Sequence, residues 1–64
     1  MKRAKLLQHL HAHGCRSQRE GGRHTIYANA AGTRKSAVPR HREIKATTAR
    51  NICDDLGVPP PRER

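Results

Sequence analysis

The chain has almost no aromatic side chains. Tyr27 is the only one in 64 residues, with neither Trp nor Phe. Large aliphatics are also few: Leu6, Leu7, Leu10, Ile26, Val38, Ile44, Ile52, Leu56 and Val58. A single small domain follows, with a thin core that supplies at most about 3–5 kcal/mol. Such a monomer is marginal, and a partner or self-association would stabilise it. A lone aromatic reads more simply as packing than as a base-stacking surface. Long apolar runs are absent too. Leu6-Leu7 is too short for a secretory leader, and no stretch is long enough to span a bilayer. Cysteine is sparse, with Cys15 and Cys53 far apart. Reduced thiols in the cytoplasm are expected, with both cysteines acting as small core residues.

Acidic residues are the other shortage. Five Asp and Glu face 14 Lys and Arg, for a formal net charge of +9. That excess points to a polyanionic partner. The charge is spread along the chain, which argues against a folded domain with one basic arm.

The pattern that is present reads as helix, three strands, helix. Leu6, Leu7 and Leu10 form an apolar stripe over Arg3 to His13, and Gly14 follows as a helix stop. Residues 15–20 make a weak strand, with Cys15, Ser17 and Arg19 on one face. Gly21-Gly22 signals a turn. His24 to Asn29 is a stronger strand, with Ile26 pointing to the core. Arg34 to Val38 returns as a third strand that Pro39 ends. Ala49, Ile52, Cys53 and Leu56 share one face of a helix over Ala46 to Leu56, capped by Gly57. The expected fold is α+β: two layers in the order α-β-β-β-α, with both helices on one face of an antiparallel sheet. The domain is expected over residues 1–58, with a Pro-rich flexible tail over 59–64.

Chemistry concentrates around Gly21-Gly22-Arg23-His24. Histidine takes and gives protons near neutrality. Glycines let a nucleic-acid backbone approach closely. A strand-start His24 is then either a proton-transfer residue or simply a strand residue. Arg40, Arg42 and Lys45 lead into the second helix, whose free N–H groups favour anions, and Lys35 adds a cation on the third strand. As a simpler reading, all four are solvated surface charges. His41 is the remaining histidine for a general acid, and it reads more simply as a loop polar group. His9 and His13 share a helical face, but His11 points away and no carboxylate is near, so no metal and no cofactor are expected.

With these residues in view, the chain resembles the HicA toxins, the RNA-cleaving half of a type II toxin–antitoxin pair. The resemblance covers residues 3–58. It is carried by the helix ending at Gly14 and by Gly22-Arg23-His24. It is carried also by Val38-Pro39-Arg40-His41-Arg42-Glu43-Ile44-Lys45 and the helix ending Leu56-Gly57-Val58. The sequence departs from the family at two positions: Arg23 replaces the usual Ser, and Cys15 replaces a bulky aromatic. The resemblance implies a double-stranded-RNA-binding-domain-like fold and metal-independent endoribonuclease cleavage of mRNA that arrests translation. It implies His24 as the catalytic residue. From their charge and position, Gly22, Arg23, Lys35, Arg40, Arg42 and Lys45 are the expected RNA contacts. A HicB-type antitoxin that masks the site is the implied protein partner. A non-catalytic double-stranded-RNA-binding module is the alternative on the same fold and charge.

Overall fold

A computed structural model describes residues 1–61 of the chain. Its elements are α1 (Arg3–Ala12), β1 (Arg16–Glu20), β2 (His24–Ala28), β3 (Lys35–Pro39) and α2 (Ala46–Leu56). The three strands form one antiparallel sheet in the order β1-β2-β3. The α+β architecture read from the sequence is therefore present. α2 ends on a left-handed glycine, Gly57 at φ 72°, and α1 ends on His13 with the left-handed Gly14 next, at φ 81°, a conformation that carries little cost without a Cβ.

Leu6, Leu10, Cys15, Tyr27, Val38, Ile44, Ala49, Ile52, Cys53 and Leu56 form one buried cluster, with Met1, Leu7 and Val58 packed at its margin. Cys15 is fully buried there. The start of the chain is fastened to the approach to α2. Arg3 N donates to Arg42 O at 2.9 Å, and Ile44 N donates to Met1 O at 2.7 Å.

Ile26 does not point into this core. Thr25 and Tyr27 do, at 2% and 4% exposure, while His24 and Ile26 lie on the opposite face. The cause is register. Thr25 pairs with the fully buried Val38 and Tyr27 pairs with Ser36, and residues opposite each other across an antiparallel pair share a face. The polar groups carried inward are satisfied. The Tyr27 hydroxyl lies 3.1 Å from His11 Nε2.

β1 departs from simple alternation as well. A bulge between Ser17 and Arg19 sets Arg19 opposite Ile26 and Glu20 opposite Thr25. Arg19 therefore leaves the face it was expected to share with Cys15 and Ser17. One inserted residue swaps the faces of everything beyond it.

The strand ends also shift. β2 stops at Ala28, because the Asn29 carboxamide oxygen caps the loop by accepting from Thr33 N at 2.8 Å and Arg34 N at 3.1 Å. β3 runs on to include Pro39, which pairs with His24 on an edge strand. An edge position tolerates the missing N–H. Asp55, which sits unfavourably near the end of α2, ties that helix to β3: its carboxylate accepts from Ser36 Oγ at 3.1 Å. Its backbone carbonyl accepts from Arg34 Nε at 2.8 Å. Beyond α2, His9 Nε2 donates to Pro59 O at 2.7 Å. The rest of the expected tail, residues 62–64, lies outside the described residues.

Candidate functional site

The helices cover one face of the sheet and leave the other open. His24, Ile26, Lys35, Ala37, Pro39 and, through the bulge, Arg19 fall on the open face. Two cations, Arg19 and Lys35, therefore stand on the open face with His24.

His24 begins β2 at its exposed end. Its place in the β1–β2 pairing is set by Gly21, whose amide donates to the His24 carbonyl at 2.8 Å. A Cβ on Gly21 would lie 2.9 Å from that oxygen, so the close approach requires glycine. At Gly22, by contrast, a Cβ would meet nothing within 4 Å. The tight contact belongs to Gly21, and Gly22 contributes an open, exposed wall. Across the β2–β3 pair, His24 stands opposite Pro39. One step further, Arg40 N donates to Arg23 O at 3.3 Å. The segment 22–24 and the segment 40–41 are thereby held side by side.

Between them lies a cleft of about 520 Å³, lined by Gly22, Arg23, His24, Arg40 and His41. That volume is within the usual range of small-ligand clefts, about 300–1,000 Å³. Among the described residues, no side chain hydrogen-bonds the imidazole of His24 or of His41. Both are exposed.

The structure brings four of the expected site residues together: Gly22, Arg23, His24 and Arg40. Three lie apart from the cleft. Lys35 pairs with Ala28 at the other end of β3, four residues and about 13 Å along the strand from Pro39. Arg42 and Lys45 are exposed on the segment running from the cleft to α2. Lys45 precedes the helix without capping it through its side chain.

Arg40 is not a free cation. Its guanidinium is ion-paired with the Glu20 carboxylate. Glu20 Oε1 also accepts from the buried Thr25 hydroxyl at 3.3 Å, and that hydroxyl accepts from Arg3 Nη2 at 3.3 Å. Arg3 Nε donates to Pro39 O at 2.9 Å. A chain of polar contacts thus runs from α1, through the inner face of the sheet, to the rim of the cleft. Neither Glu20 nor Arg3 belongs to a recognisable motif of the sequence. The available signal was that Glu20 is the sole acidic residue in the first 42.

The helical histidines have partners of their own. The His9 and His13 rings lie 4.7 Å apart, tilted by 57°, while His9 holds Pro59 and His11 contacts Tyr27. Among the described residues, no three His, Cys, Asp or Glu side chains converge as a ligand set.

The family described as "HicA toxin of bacterial toxin-antitoxin" matches residues 3–58. The chain belongs to the HicA toxin family. In this HicA chain His24 starts β2 and lines the cleft, with Arg23 beside it. No curated protein and no solved structure matches the HicA chain described here. Among the described residues, no helix is long and apolar enough to cross a membrane.

Proposed function

We propose that this HicA-family chain is an endoribonuclease toxin that cleaves mRNA in the cytoplasm, with His24 as general base. The observation that carries the reading is the exposed, unbonded His24 imidazole in a cleft flanked by Arg23 and Arg40. RNA contains its own nucleophile, the 2′-hydroxyl, and DNA lacks it. His24 removes the 2′-hydroxyl proton, a role that contributes roughly a 10²–10⁴-fold gain. Arg23 stabilises the charge that develops on the phosphate. Arg40 joins it by exchanging its Glu20 partner for the phosphate. The expected products are a 2′,3′-cyclic phosphate and a 5′-hydroxyl.

The RNA strand runs from the cleft over the open face of the sheet, with Arg19 and Lys35 as phosphate contacts. Arg42 and Lys45 hold it on the other side. These contacts position the strand and carry no base information. The protein partner is a HicB-type antitoxin that meets the basic face with acidic residues and covers His24. A charge of +9 supports that complementarity.

The test is cleavage of RNA by the purified chain in the presence of chelator, beside His24→Ala. Cleavage by wild type with loss of about 10²-fold or more in His24→Ala supports the reading. RNA bound but left intact by wild type points instead to the non-catalytic double-stranded-RNA-binding module.

A further inference from the structure

The cleft holds a second exposed imidazole. His41 lines it together with His24. In sequence the two are seventeen positions apart. They meet because β2 and β3 pair antiparallel, His24 opposite Pro39, and because Arg40 N continues the pairing to Arg23 O. The two imidazoles come from the two segments that flank the cleft.

Cleavage of RNA through the 2′-hydroxyl needs two proton transfers. One proton must leave the nucleophile, and another must reach the departing 5′-oxygen, a poor leaving group as an alkoxide. Of the cleft residues, Gly22 has no side chain, and the guanidinium groups of Arg23 and Arg40 do not release protons in proteins. Glu20 does not line the cleft. Tyr27 is buried on the helix-covered face, and Lys35 lies at the far end of β3. His41 is the one side chain left in the cleft that donates a proton near neutrality.

We propose that His41 is the general acid that protonates the leaving 5′-oxygen, a deepening that rests on the ribonuclease reading above. The O–H bond of the 2′-hydroxyl breaks and its proton goes to the His24 imidazole. The 2′-oxygen forms a new bond to phosphorus. The bond from phosphorus to the 5′-oxygen breaks, its electron pair stays on that oxygen, and a proton arrives there from the His41 imidazolium. One proton is taken up and one is delivered, so no oxidant, reductant or further reactant is consumed. His24 and His41 are catalytic residues of opposite protonation state, and Arg23 and Arg40 line the space for the phosphate between them.

The test compares an ordinary RNA substrate with one in which sulfur replaces the bridging 5′-oxygen. A thiolate leaves without protonation, so the second substrate needs no acid. His41→Ala is expected to lower kcat on ordinary RNA by about 10²–10⁴-fold, with KM changed far less. It is expected to cleave the sulfur substrate within about tenfold of wild type. The kcat/KM profile of His41→Ala should lose its alkaline limb and keep its acid limb. His41 is exposed, and an unchanged circular-dichroism spectrum checks that the variant folds. Equal losses on both substrates, or an unimpaired His41→Ala, overturn the assignment. His24→Ala separates the two readings. If it is inactive on both substrates while His41→Ala is unimpaired, only the acid assignment falls. If it cleaves like wild type, the reading of the cleft as a His24-dependent ribonuclease falls with it.

Discussion

Gly21 and His24 close the turn between β1 and β2 through one short contact. The Gly21 amide donates to the His24 carbonyl at 2.8 Å, and a Cβ on Gly21 would stand 2.9 Å from the same oxygen. The start of β2, and with it the His24 side chain, is therefore positioned by an absent side chain three residues earlier. Gly21→Ala is expected to destabilise the fold by about 1–3 kcal/mol and to lower cleavage through displacement of His24. Gly22→Ala, with open space at its Cβ, should change stability by less than about 0.5 kcal/mol. Thermal or urea unfolding of the two variants, beside their cleavage rates, checks the contrast.

Arg40 is shared between Glu20 and the phosphate. The pair is solvent-exposed, at 45% and 66% for the two side chains, so screening limits it to about 0–1 kcal/mol of stability. Glu20→Gln should leave the unfolding midpoint nearly unchanged and tighten RNA binding, because the guanidinium no longer has a competing charge. Arg40→Ala should weaken binding and reduce the slope of log affinity against log salt by about one. Binding titrations across salt concentrations read both effects.

The Thr25 hydroxyl is buried between Arg3 and Glu20. Thr25→Val keeps the shape and removes both bonds. The expected cost is about 1–2 kcal/mol, since Arg3 loses one of its partners inside the fold. Urea unfolding measures it. Glu20, freed of one partner, should also hold Arg40 less firmly, so RNA affinity should not fall in step with stability.

Burial pushes the thiols of Cys15 and Cys53 above their ordinary range, and for Cys53 the neighbouring Cys15 adds to the rise. Unfolded thiols ionise first, near pH 8.5. Above that pH the unfolded state binds fewer protons than the folded one, so stability falls as pH rises. The loss is completed once the folded thiols themselves ionise. Urea midpoints measured from about pH 7 to about pH 10 should therefore decline, and a Cys15→Ala, Cys53→Ala variant should decline less steeply from a lower start. Native protein should react slowly with a thiol reagent at neutral pH and quickly in denaturant.

The element order, the stops at Gly14 and Gly57 and the buried stripe Ala49–Ile52–Cys53–Leu56 were all legible in the sequence. Each depends on residues within one or two turns of one another. The cleft was legible in part. Gly22, Arg23, His24 and Arg40 line it together, whereas Lys35, Arg42 and Lys45 lie outside it. Glu20 escaped notice because its role exists only beside Arg40, twenty positions later.

The sequence alone determined that the chain is basic, that its core is thin, and that two helices flank a three-stranded antiparallel sheet. Local periodicity and glycine punctuation suffice for that. Tertiary structure decided which residues each strand presents inward. Ile26 looked like the core residue of β2 and Tyr27 is, because pairing with Val38 and Ser36 sets the facing of the whole strand. The bulge after Ser17 then turned Arg19 outward and Glu20 inward. A strand alternates with a period of two, so one inserted residue or one choice of register inverts every side chain beyond it. Those choices are made between strands, and through them His24 and His41 come to share one cleft.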